Sequence, residues 1–93
     1  MHRLYKLKHI PTGLFFTPSN GSGNLSKTGK IYIDRLPNLK WVETIRVRFY
    51  NDRIDKKTKL IIEHFGIDLS KNAYVFDQYF GTQPNDWEII ELE

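Results

Sequence analysis

Apolar and polar residues alternate in the first stretch of the chain, RLYKLKHI, where Tyr5 and Leu7 fall on one face and Lys6 and Lys8 on the other. A period of two over this length predicts a strand. Pro11-Thr12-Gly13 reads as a tight turn, with proline setting φ and glycine permitting φ > 0. Leu14-Phe15-Phe16-Thr17 returns as a second strand, so residues 3–17 form a hairpin that Pro18 ends. Residues 30–33, KIYI, predict a third strand. Residues 36–43, LPNLKWVE, are ambiguous; Pro37 at a first helical turn would suit a short helix carrying Leu39, Trp41 and Val42. The clearest alternation is TIRVRFY, residues 44–50: Ile45, Val47 and Phe49 face one way, Arg46, Arg48 and Tyr50 the other.

The period then changes. Ile54, Thr58, Ile61, Ile62 and Phe65 recur at helical spacing, Asp55 suits the N-cap, and Gly66 suits a left-handed C-cap. The spacing predicts a helix over 55–65 with Ile61, Ile62 and Phe65 facing a sheet. Residues 72–80 fit both periods, and their Tyr, Val and Phe content favours a strand. Residues 86–93 predict a last strand. The expected fold is α+β, one domain over 1–93, with a small, mainly antiparallel sheet packed by one principal helix.

The stretch NGSGNLSKTGKIYI, residues 20–33, carries a Gly-Lys pair like a phosphate loop. It lacks the required spacing, and Ile31 follows Lys30 where Ser or Thr should stand. It also runs into a β-branched run rather than a helix N-terminus. Residues 18–29 are instead expected to be a mobile connection, with Lys27 and Lys30 at its exit offered to an acidic partner.

Chemistry-bearing residues are sparse. The three histidines, His2, His9 and His64, have no ligand spacing among them, and there is no cysteine, so no thiolate metal site or disulfide forms. No serine sits in a nucleophile elbow. The expectation is a non-enzyme without cofactor or metal. No window approaches about 18 apolar residues. No apolar run follows the first basic residues, so no secretory signal is expected, and the expected location is cytoplasmic.

Charge adds one feature. The net charge is +3, but residues 1–50 carry +7 and residues 51–93 carry −4. Arg46, Arg48 and Tyr50 combine guanidinium and aromatic groups on one strand face, which suits phosphates, bases or a protein surface. Lys6 and Lys8 extend that face if their strand is a neighbour. The alternative is a solvated face balanced by cross-strand carboxylates such as Glu88 or Glu91.

The segments KLKHIPTGLFFTPS, NLSKTGKIY, LPNLKWV and DWEIIELE together resemble small, uncharacterised proteins of tailed bacteriophages. These share a K-H-x-P-T-G-L start, an N-L-S-K-x-G-K-(I/V)-Y centre and a D-W-E-I end. The resemblance spans residues 6–43 and 86–93. It implies an infected bacterium as the setting and carries no activity. The resulting expectation is a phage-type binding protein that occupies a surface of a bacterial host or defence protein or ribonucleoprotein. Direct nucleic-acid binding is the alternative, and sequestering a small molecule a third reading.

Overall fold

The computed structural model describes residues 1–19, 22–37, 39, 42–71 and 74–93. The fold is α+β: a mainly antiparallel seven-stranded sheet and one α-helix among the described residues. The strands are β1 (Leu4–His9), β2 (Leu14–Ser19), β3 (Ser22–Ser26), β4 (Tyr32–Ile33), β5 (Thr44–Tyr50), β6 (Val75–Gly81) and β7 (Trp87–Leu92). Helix α1 (Lys56–Phe65) stands between β5 and β6 in sequence. Strand order is β4-β1-β2-β3-β5-β6, with β7 on the other edge of β1. All pairings are antiparallel except β3 with β5, which meet in parallel at Gly23 and Ile45.

The predicted hairpin is present and longer than expected. Gly13, at φ 74°, closes the turn by donating its N–H to the His9 carbonyl at 2.8 Å. β2 runs through Pro18 to Ser19. Phe16 explains why: its carbonyl accepts from Lys30 N–H, so even-numbered residues of β2 direct their backbone away from β3. The missing N–H of Pro18 falls on that side, where β1 has already parted from β2, and no ladder bond is lost.

The expected mobile connection over 18–29 is not what forms. Residues 22–26 are β3, with Gly23 and Leu25 buried between more exposed Ser22, Asn24 and Ser26. The strand carries an ordinary period of two, written in residues of low strand propensity. Its glycines have packing roles. A Cβ at Gly23 would lie 1.9 Å from Cε1 of Phe16, so the phenyl ring rests on bare backbone. Gly29, at φ 72°, packs against Phe15. The third expected strand shortens to Tyr32–Ile33. Of the ambiguous segment 36–43, residues 38, 40 and 41 lie outside the described residues; Leu39 packs on the core and Val42 is buried in it.

Helix α1 takes the expected bounds. Asp55 caps it, Oδ1 accepting from Thr58 N–H at 2.8 Å, and that bond holds the Asp55 carboxyl below its usual range. Gly66 ends it at φ 65°. Thr58 and Ile61 are buried, and Ile62 and Phe65 pack against the core at its margin. The segment over 72–80 resolves as the strand β6, and residues 72 and 73 lie outside the described residues.

The core joins both halves of the chain. Leu7, Leu14, Phe16 and Leu25 meet Ile45, Val47, Phe49, Phe76 and Trp87. Trp87 Nε1–H donates to Thr82 Oγ1 at 3.1 Å, and Thr82 Oγ1 donates to the Val42 carbonyl. His9 is wholly buried, its ring 4.9 Å from that of Trp87 and 5.1 Å from that of His64. Its Nδ1 is hydrogen-bonded to Thr12 Oγ1 at 2.8 Å. No described helix is long and apolar enough to cross a membrane.

Candidate functional site: the outer face of β5 and β6

Alternation along β5 buries Ile45, Val47 and Phe49 and turns Arg46, Arg48 and Tyr50 outward. β6 pairs with it over seven consecutive positions, from Thr44↔Gly81 to Tyr50↔Val75. Its outward residues are Val75, Asp77 and Tyr79. The face therefore reads in three cross-strand pairs: Arg46 with Tyr79, Arg48 with Asp77, Tyr50 with Val75.

Asp77 organises this face. Its direct neighbour is Arg48, whose Nε stands 4.0 Å from Oδ2. Its hydrogen bonds go diagonally to Arg46, with Nε donating to Oδ1 at 2.9 Å and Nη2 to Oδ2 at 2.6 Å. This fork-to-carboxylate geometry is the strong form of the contact. It raises the Arg46 pKa and, chiefly through the hydrogen bond, holds the Asp77 carboxyl below its usual range. The Arg46 guanidinium also lies 6.0 Å from the Tyr79 ring centre. The expected carboxylate partner was Glu88 or Glu91; the actual one comes from β6, because β7 lies on the far edge of β1.

Aromatic groups frame the pair. Tyr79 is 59% exposed, Tyr74 57% and Tyr50 39%. The Tyr50 and Tyr74 rings stand 5.4 Å apart, and Tyr74 Oη donates to Asp52 Oδ2 at 3.1 Å. Tyr74 and Tyr79 were missed in the sequence because the strand assignment there was unsettled. The alternation of β6 groups Val75, Asp77 and Tyr79 on one face, but only the pairing with β5 sets Tyr79 opposite Arg46.

The lysines do not join this face. β2 and β3 stand between β1 and β5, so Lys6 and Lys8 lie on a strand that is no neighbour of β5. Lys6 sits 5.0 Å over the Phe15 ring, and Lys8 pairs in register with Glu88. Lys30 lies over the Tyr32 ring beside β4. Lys27 follows β3 and is near enough to Asp55 to lower its pKa slightly. Among the described residues, Lys27 and Lys30 share the short connection from β3 to β4, where Lys30 N–H is tied to the Phe16 carbonyl.

Beyond Gly23 and Ile45 the strands β3 and β5 part. The gap is a cleft of about 310 Å³ lined by Thr17, Asn24, Ser26, Arg46, Arg48 and Lys57, among others. Among the described residues, no group of three or more His, Asp or Glu side chains is placed to hold a metal ion.

Searches against protein-family models, curated proteins and solved structures find no match to the chain.

Proposed function

We propose that this chain is a non-catalytic protein-binding module whose contact surface is the outer face of β5 and β6. The observation that carries this is the clamp of Arg46 by Asp77 beside the exposed Tyr79, on a face whose other end carries the exposed Tyr50 and Tyr74. Arginine and tyrosine are enriched among the few residues that carry most of the energy at protein interfaces, and a clamped guanidinium loses less freedom on binding. Asp77 also offsets one of the two arginine charges. That weakens the draw on phosphates, which nucleic-acid binding depends on. The fit is therefore better to a protein surface than to a bare nucleic acid. The resemblance to phage proteins supports a bacterial host or defence protein or ribonucleoprotein as the partner, whose surface this face would occupy.

The test is capture from bacterial lysate on the immobilised full chain, with and without nuclease. A specific protein should remain after nuclease treatment. Arg48→Ala and Tyr50→Ala should each reduce its capture by about tenfold or more, the usual effect of removing an interface hot spot. Lys6→Ala and Lys8→Ala should not. Loss of all captured material on nuclease treatment would favour the nucleic-acid reading instead.

A further inference from the structure

Among the described residues, β6 is the last strand of the sheet on its side. The direction of its backbone groups follows from the bonds at either end of its pairing with β5. Asn51 N–H donates to the Tyr74 carbonyl at 2.9 Å, and Thr82 N–H donates to the Glu43 carbonyl at 2.9 Å. With the register of β5 and β6, Phe76, Gln78 and Phe80 turn their backbone groups towards β5. Val75, Asp77, Tyr79 and Gly81 turn theirs towards the open edge.

Sheets usually guard such edges with several charges, a proline, a bulge or a very short strand. β6 has seven residues, VFDQYFG, one charge, no proline and an unbroken register. The other borders of the sheet differ. β7 carries Glu88 and Glu91, and β4 is two residues long.

We propose that two copies of this chain associate through β6, antiparallel, with the two-fold axis at Gln78. The strand complements itself in that register. Val75 meets Gly81 of the second copy, and Asp77 meets Tyr79 of the second copy. All four outward-turned residues thereby find hydrogen-bonded pairs. On the outer face a row forms from Arg46 and Tyr79 to Asp77 and Arg48 of the second copy, so each carboxylate gains an aromatic neighbour and no like charge. On the inner face Phe76 meets Phe80 of the second copy, a favourable aromatic pair. Shifting the axis to Asp77 would set two carboxylates directly opposite each other. Shifting it to Tyr79 would leave Val75 unpaired. The interface is an isologous one and closes as a dimer.

The dimer rests on the backbone edge of β6 and the proposed function on outer-face side chains, so Gln78 variants, whose side chain lies on the other face, test the dimer without altering Arg46, Arg48 or Tyr50. Sedimentation equilibrium on the full chain should show a reversible dimer. The chain has no cysteine, so Gln78→Cys reports the axis directly. Mild oxidation should link Gln78→Cys into a covalent dimer and leave Asp77→Cys unlinked. Gln78→Lys sets two ammonium groups opposite each other and should weaken the dimer about tenfold or more. Circular dichroism checks the fold of each variant. A wild-type chain that stays monomeric up to about 1 mM overturns the proposal. So does a dimer that Gln78→Lys leaves intact, or cross-linking through Asp77→Cys in place of Gln78→Cys. Pairing of β6 with a strand of another protein, the chain itself remaining monomeric, overturns it too.

Discussion

Asp77 stands directly across from Arg48 in the β5–β6 register, yet it is hydrogen-bonded to Arg46. The diagonal contact leaves Arg48 at 4.0 Å, 55% exposed, and the less committed of the two guanidiniums. One arginine is thus part of the scaffold of the face, and the other is available to a partner. Removing each should therefore have different consequences. Arg48→Ala should affect partner binding with little change in the neighbouring side chains. Arg46→Ala should also release Asp77, which proton NMR of the Tyr79 ring would register. Identical ring spectra in the two variants would count against this division of roles.

The buried His9 predicts a particular acid sensitivity. Burial, reinforced by the nearby His64 and opposed by Asp86, lowers its pKa from 6.5 to about 4. The unfolded chain therefore takes up the proton first as pH falls. Stability is full above about pH 6.5 and is lost progressively between there and about pH 4, by about 3 kcal/mol. The depressed carboxyl of Asp55 acts in the same direction, but only below about pH 4. Denaturant unfolding across this range should show the loss, and His9→Leu should flatten it. A wild-type chain equally stable at pH 6.5 and pH 4.5 would refute the assignment.

Helix packing can be graded residue by residue. Ile61 is 6% exposed, and Ile61→Ala should cost about 3–4 kcal/mol. Phe65 lies at the margin of the core, stacked 4.6 Å from Phe80. Its truncation to Ala should cost less than for a fully buried ring, about 2–3 kcal/mol. Chevron or equilibrium unfolding measures both. A loss below about 1 kcal/mol for either would mean that this helix face is not packed on the sheet.

Gly23 and Lys30 separate the structural reading of the Gly/Ser/Lys stretch from a phosphate-loop reading. Gly23→Ala forces the Phe16 ring to move and should cost about 1–3 kcal/mol, as overpacking does. Lys30→Ala should leave stability nearly unchanged, because Lys30 is exposed and only overlies Tyr32. Neither the wild type nor the variant should release phosphate from ATP or GTP over many turnovers. Hydrolysis abolished by Lys30→Ala would contradict this.

The elements with a strong period were legible in the sequence. β5 and α1 announced themselves through Ile45-Val47-Phe49 and through Ile54, Thr58, Ile61 and Phe65, with Asp55 and Gly66 at the ends. β3 was not legible, because glycine, serine and asparagine signal loops by composition, while only Leu25 and a bare Gly23 face inward. Pro18 pointed to a strand end, since its tolerance depended on which edge of β2 was paired. Half of the candidate site was visible: Arg46, Arg48 and Tyr50 share a face as the alternation required. Asp77, Tyr79 and the exclusion of Lys6 and Lys8 were not, because they depend on strand order, which alternation does not encode.

The central claim is that Asp77 makes this face a pre-organised protein contact. Asp77→Asn tests it most directly, because it removes the carboxylate charge that holds Arg46 while keeping the side chain's size. Two quantities should be compared between wild type and variant: nuclease-resistant capture of the bacterial protein, and retention of a single-stranded oligonucleotide over a salt series. The account predicts that protein capture falls about tenfold, as for a disrupted interface anchor. Oligonucleotide retention should stay weak, rising modestly with the added positive charge. Undiminished protein capture would contradict it. So would tight oligonucleotide binding in the wild type that strengthens further in Asp77→Asn, with log affinity falling steeply with log salt.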